Sequence, residues 1–300
     1  MKEKYINLFT DFGFKKVFGE EASKIHLISF LNTLLPEKHQ IQELQFNQNE
    51  SQGASILDRK AIFDISCVSE SGEYFIVELQ KAKQNFFKDR SVFYATFPIQ
   101  QQAERGDWNF KLAAVYTIGI LDFVFDEEDG QHKVVHQVQL KNQHNRVFYD
   151  KLTFIYLTLP NFTKTLDELE TLQDKWFYVF RHLHTLDDIP PRLREKVFLS
   201  LFEKAQIARF EPQERLAYES SLKYYRDLKN VIDTARGEGW QEGKEEGLDE
   251  GRKEGLQEGQ HKKSLEIARN LLTMGNMTDE QIAQITGLSL DEISDLRSAQ

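Results

Sequence analysis

Asp64, Glu78 and Gln80 are spaced in a way that could do chemistry. Asp64 interrupts the apolar run AIFDISCV over residues 61–68, and Glu78 interrupts YFIVELQ over residues 74–80. Between the runs lies Ser69-Glu70-Ser71-Gly72-Glu73. A three-residue hairpin loop ends on a residue in the left-handed region, usually Gly. With Glu70-Ser71-Gly72 as that loop, Ser69 faces Glu73 and, counting back, Asp64 faces Glu78. Side chains alternate along a strand, so Gln80 shares the face of Glu78. Phe63, Ile65, Val77 and Leu79 then fall on the opposite side, toward the core. A two-residue loop would shift the parity and separate the acids.

Like charges opposite one another weaken a sheet. A hard divalent cation offsets that cost. Magnesium takes oxygen ligands, commonly one or two carboxylates with water and substrate phosphate oxygens. Such an ion generates hydroxide, neutralises phosphodiester charge and orients attack. The same pattern also describes an acidic, solvated sheet face with no chemistry, and the pattern alone leaves both readings open.

The elements that must hold these residues are legible on either side. Residues 10–35 carry apolar positions at helical spacing (Phe14, Val17, Phe18, Ile25, Ile28, Leu31), with Thr10 or Asp11 as cap, Gly19 as a break and Pro36 as the end. Residues 41–47 and 54–57 are strand candidates around a polar turn at 47–52. Residues 86–105 read as a helix that Pro98 should kink or divide, closed by Gly106. The apolar run at 112–121 has the character of a strand buried on both faces. Further strands are expected at 133–140 and 152–159, with a polar turn at 126–131 between them.

From about residue 165 the pattern becomes helical, with segments at 191–209 and 212–233. Residues 237–259 then repeat Glu-Gly every four residues, six times. Each Gly weakens a helix by about 0.8–1 kcal/mol relative to Ala, roughly 5 kcal/mol in all. The stretch is therefore either a charged tether or a helix paired with another copy along its glycine stripe. After it, Thr278 with Gln281 forms a capping box, Gly287 a turn and Ser289 a cap, in helix-turn-helix spacing. The last helix carries Asp291, Glu292 and Asp295 against Arg297, which favours packing or self-association over reading DNA. The expected divisions are 1–162, 163–234, 235–263 and 264–300.

The 300 residues are 40% hydrophobic and 29% charged, ordinary for a globular protein. A net charge of −10 argues against a generic nucleic-acid coat, though not against a local basic groove beside an acidic metal site. No apolar run approaches the roughly 18 residues of a membrane helix, and the first residues lack a signal-peptide core, so a cytoplasmic location is expected. The single Cys67 excludes a disulfide within the monomer and reads as a small buried hydrophobe.

Thr10-Asp11-Phe12-Gly13-Phe14-Lys15-Lys16-Val17-Phe18-Gly19, then Asp64, Glu78-Leu79-Gln80, residues 90–94 and residues 102–106 together resemble the Rpn family of recombination-promoting, transposase-like nucleases in the PD-(D/E)XK superfamily. The likeness covers roughly residues 5–160 and extends to the Glu-Gly tail. It implies an α/β fold: a restriction-endonuclease-like mixed sheet flanked by helices, followed by an all-α C-terminal region. It implies a magnesium-dependent DNA endonuclease, with manganese as substitute, in recombination, mobile-element or phage-defence biology. Asp64 and Glu78 match the two metal-binding acids. Gln80 stands where the superfamily usually has Lys, as in Rpn-type sequences; an amide orients water but brings no charge. Asp11 is placed to hold the metal through water, and Lys15, Arg90, Lys83 and Gln102 to meet substrate. Lys81 should point away. Asp11 and Lys15 also fit a helix cap with an i, i+4 ion pair. The expected partners are DNA and a second copy through the C-terminal region, with no membrane. A catalytically silent interaction or DNA-binding protein of the same fold remains the alternative.

Overall fold

The computed structural model describes residues 3–47, 50–51, 61–103, 106–124 and 132–299. The strand expected at 54–57 and the turn at 126–131 lie outside these residues. The chain divides into two units, residues 1–229 and 230–300.

The first unit is built on a six-stranded mixed sheet in the order β1-β4-β5-β6-β8-β7. Its strands are β1 (Leu44–Phe46), β4 (Ile65–Ser69), β5 (Tyr74–Gln80), β6 (Val115–Leu121), β7 (Val135–Lys141) and β8 (Val147–Thr158). The short strands β2 (Glu50–Ser51) and β3 (Ala61–Ile62) pair with each other separately. β5, β6 and β8 run parallel; the pairs at either side are antiparallel. All seven residues of β6 are buried, as expected of a central strand between parallel neighbours.

The β4–β5 hairpin has the register its turn demands. Ile65 pairs with Val77 and Val68 with Tyr74. The Ser69 amide donates to Glu73 O at 2.9 Å, and the Gly72 amide to Ser69 O at 3.0 Å. Gly72 has φ +90°, the conformation that selects glycine here. Continuing the register one step sets Asp64 beside Glu78.

Two layers of helix cover the sheet. On one face, Ile65, Cys67, Phe75, Val77 and Leu79 join α1 (Asp11–Phe18), α2 (Lys24–Asn32), α4 (Leu172–His182) and α5 (Lys196–Lys204) in the main core. Trp176 and Phe180 of α4 pack on Phe18 and Phe30, so the region expected as a helical subdomain shares this core. On the other face lies α3 (Phe87–Gln101), a single helix despite Pro98. Phe63 was expected with Ile65 in the main core. It packs instead on Ile76 and Phe97, on the α3 side, because β3 ends at Ile62 and strand alternation is broken before β4 begins.

Helix α1 starts where the sequence places it, with Thr10 rather than Asp11 as cap: its side chain accepts from the Gly13 amide at 3.0 Å. A Cβ on Gly13 would lie 2.3 Å from Asn7 O, so the turn ahead of α1 closes only over glycine. Gly19 separates α1 from α2. The long helix α6 spans Pro212–Met274, so the Glu-Gly repeat is helical. Within the first unit, Tyr218 of α6 is a buried member of the main core, its hydroxyl accepts from the Asn7 amide at 3.0 Å, and Ser221 Oγ accepts from the Phe12 amide at 3.2 Å.

The second unit ends in α7 (Asp279–Thr286) and α8 (Leu290–Ser298). Ala268, Leu272, Ile282, Leu288 and Ile293 form its small core. The capping box at Thr278/Gln281 forms, the Ser289 cap is completed as a second box by Glu292, and Gly287 turns at φ +74°. No helix among the described residues is long and apolar enough to cross a membrane.

Candidate active site

Asp64 occupies the gap between β3 and β4, and Glu78 sits near the end of β5. The Asp64 amide donates to Glu78 Oε1 at 3.3 Å. Asp64 Oδ2 in turn accepts from the Leu79 amide at 2.7 Å. Each residue therefore holds the other's strand, and two carboxyl groups are kept side by side. Burial, then the Asp64 charge, pushes the Glu78 carboxyl up to about 8. Burial also raises Asp64, with Asp11 adding to the effect, while the Leu79 amide and the charges of Lys15 and Lys81 oppose it.

Gln80 is buried at the end of the same strand. Its Nε2 donates to Ala82 O at 2.9 Å, and its Oε1 accepts from the Arg90 guanidinium. Arg90 comes from the first turn of α3 and also donates to Gln84 Oε1 at 2.5 Å. Its charge is felt by Glu78. The guanidinium lies 5.9 Å from the ring centres of Phe87 and Tyr94. Tyr94, one helical turn further, meets Phe63 edge-on at 5.4 Å, and its phenol is raised by burial and by the nearby Glu78. Sequence reasoning passed over Tyr94, although its i+4 spacing from Arg90 puts it on the same helix face.

Lys15 lies on the α1 side of the carboxyl pair. With Asp64, Phe12 and Asn47 it lines an open cleft of about 290 Å³. Among the described residues Lys15 makes no ion pair, and its charge acts on both acids. Asp11 does not pair with Lys15 across a helical turn. It pairs with Lys81 at 2.7 Å. Lys81 is on the α1 face, as alternation requires, and lies 5.4 Å from the Tyr224 ring centre, yet its charge still reaches Asp64. The next residue after β6, Asp122, donates its amide to Gln80 O at 3.0 Å and accepts the Tyr225 hydroxyl at 2.7 Å. Helix α6 thus braces the end of the active strand.

Two expected residues stand elsewhere. Gln102 is bound at both ends of its amide, to Pro98 O at 3.1 Å and from the Ala113 amide at 2.7 Å. Ala113 leads into β6 at the end aligned with Tyr74, some six residues or ~20 Å along β5 from Gln80. Gln102 therefore ties α3 to the sheet and does not approach the acids. Lys83 is exposed in the loop after β5, beside Lys88 at the start of α3.

The donor set suits a hard cation. Two adjacent half-buried carboxylates need a positive charge nearby to be ionised together. Among the described residues no group of three His, Cys, Asp or Glu side chains converges. Two carboxylates with water and phosphate oxygens are what magnesium commonly takes. Beside Glu78 on β6 stands Gly119, and the Tyr156 ring packs over it: a Cβ there would come 2.9 Å from that ring.

Residues 8–235 match the profile described as PD-(D/E)XK nuclease family transposase, and residues 261–298 match the Rpn/YhgA-like nuclease family, C-terminal HTH domain. Neither the curated proteins nor the solved structures gave a match.

Proposed function

The chain belongs to the PD-(D/E)XK nuclease family transposases, and from that premise we propose that it is a magnesium-dependent DNA endonuclease acting at the Asp64–Glu78 pair. The observation that carries this is the neighbouring Asp64 and Glu78 carboxyl groups, with Glu78 Oε1 accepting from the Asp64 backbone amide at 3.3 Å, in a half-buried setting that penalises two bare negative charges. Asp64 and Glu78 would hold the ion, with Asp11 behind them through water and manganese as a substitute. The bound ion would supply an activated water and neutralise charge on the phosphodiester. Gln80, fixed by Arg90 and Ala82, orients the water. Lys15 meets the scissile phosphate from the α1 side, and Lys83 a neighbouring one. Arg90 keeps positive charge beside Glu78.

DNA is the partner we assign to the carboxyl site; the match to an HTH domain supports DNA binding by the C-terminal segment too, where the sequence favours packing or self-association. In α8, Glu292 is held by its capping box and Arg297 by Asp279 at 2.5 Å, so this helix presents little positive charge to phosphate. We place association with a second copy on the Glu-Gly segment of α6, and the biological setting in recombination, mobile elements or phage defence. Purified protein with magnesium should nick supercoiled plasmid, and Asp64→Ala should lower the rate by ~10³-fold or more, in line with losing charge stabilisation at a reacting centre. Equal nicking by the two proteins would defeat the proposal.

A further inference from the structure

Phe86 is 79% exposed, with its backbone left-handed at φ 61°. Neither condition favours folding. The ring gains nothing from the core, and a bulky residue at positive φ is strained. Strain of this kind gathers where a ligand is held. No side-chain capping bond at the start of α3 accounts for it.

Phe86 stands at the rim of a recess of about 350 Å³. The rings of Phe87 and Phe123, edge-on at 6.0 Å, are part of its lining, with Lys83 and Lys88 beside them. Asp89 is the single acid in that lining. Aromatic faces bordered by ammonium groups are the usual means of holding single-stranded nucleic acid: bases stack while cations follow the phosphates. The recess is tied to the strand that carries Glu78. Its loop leaves β5 directly after Gln80, and the Arg90 amide donates to Phe86 O at 2.9 Å while the Arg90 guanidinium reaches Gln80. A base stacked within a duplex does not reach a side recess; a base that has left the stack does.

We propose that this recess takes an unpaired nucleobase next to the scissile phosphate, with Phe86 stacking on it, so that the substrate is DNA carrying a bulged, frayed or single-stranded nucleotide. The proposal rests on the nuclease reading and is tested apart from it. The full chain is titrated, in calcium in place of magnesium, into two duplexes that differ only in whether a 2-aminopurine is bulged or paired. The expected result is fluorescence quenching of the bulged probe alone, with tighter binding. Phe86→Gly removes the ring and relieves the backbone, so it should keep the melting temperature, lose the quench and lose about 5- to 150-fold of the preference, the range of one base–aromatic stack. Phe86→Trp should retain both. Equal binding of the two duplexes by the unmutated protein, or an unchanged quench in Phe86→Gly, would overturn the proposal. Cleavage of the same duplexes in magnesium judges the nuclease reading alone: if neither is cut, that reading falls and the fluorescence still decides the recess.

Discussion

Gln80 is committed at both ends of its amide, to Ala82 O and to Arg90. An amide held this way cannot swing, and its partner brings the positive charge that the amide lacks. Charge and orientation are thus divided between two side chains. Arg90→Ala should lower cleavage by ~10²-fold. Gln80→Lys alone would set two cations against each other and should also be impaired. The double variant carries one cation again, now on the strand, and should recover much of the lost rate. Rates of plasmid nicking for the four proteins check this; a double variant no better than Arg90→Ala would show that Arg90 acts through packing. The carboxyl pair gives a pH signature as well. Glu78 titrates ordinarily near 4.5 and is pushed to about 8 by folding. The folded chain holds that proton more tightly than the unfolded one, so metal-free protein should lose stability as pH rises across that interval. Magnesium binds the ionised pair, so its stabilising effect should grow over the same interval. Calorimetry with and without magnesium should show the gap in melting temperature widening with pH, and Glu78→Gln should flatten it. Asp64 and Glu78 were legible because turn length sets parity. The Phe63 inversion was not, since a break in a strand leaves no periodic trace. The position of Gln102 depended on the direction in which α3 returns along the sheet, which local spacing does not encode.

At the scale of elements, α1, the hairpin, β6 and the C-terminal caps follow from short-range chemistry: a hydroxyl cap, a glycine at positive φ, an uninterrupted apolar run. Pro98 breaks that rule, because packing of α3 on the sheet overrides a local irregularity. The Glu-Gly segment is the opposite case, a helix whose sequence disfavours it. A Cβ added at Gly239, Gly243, Gly247, Gly251, Gly255 or Gly259 would meet nothing within 4 Å. Alanine at these positions should therefore raise the helix's own stability by up to ~1 kcal/mol each, seen as a higher far-ultraviolet melting temperature in dilute protein. If a second copy packs on the stripe, as proposed, the same substitutions should weaken self-association in equilibrium sedimentation. Retained association with all six replaced would remove that role.

At the scale of the molecule, a chain with net charge −10 sets two of its acids side by side in its first unit. Lys15, Lys81 and Arg90 around the pair make the local field differ from the global one, and each arrives from a separate element: α1, the end of β5, and α3. Holding them together requires the main core on one face of the sheet and α3 on the other. The hairpin that carries the acids serves both layers. Val77 and Leu79 are core residues, and Glu78 stands between them on the same strand. Sliding β5 by one residue would turn the acid toward α1 and expel both aliphatic side chains together. Catalytic alignment and solubility are therefore coupled through one alignment of the backbone. Insertions or deletions in the turn should yield aggregated chains in place of well-behaved inactive ones, and a lineage that discards the chemistry while keeping the scaffold must do so by point replacement.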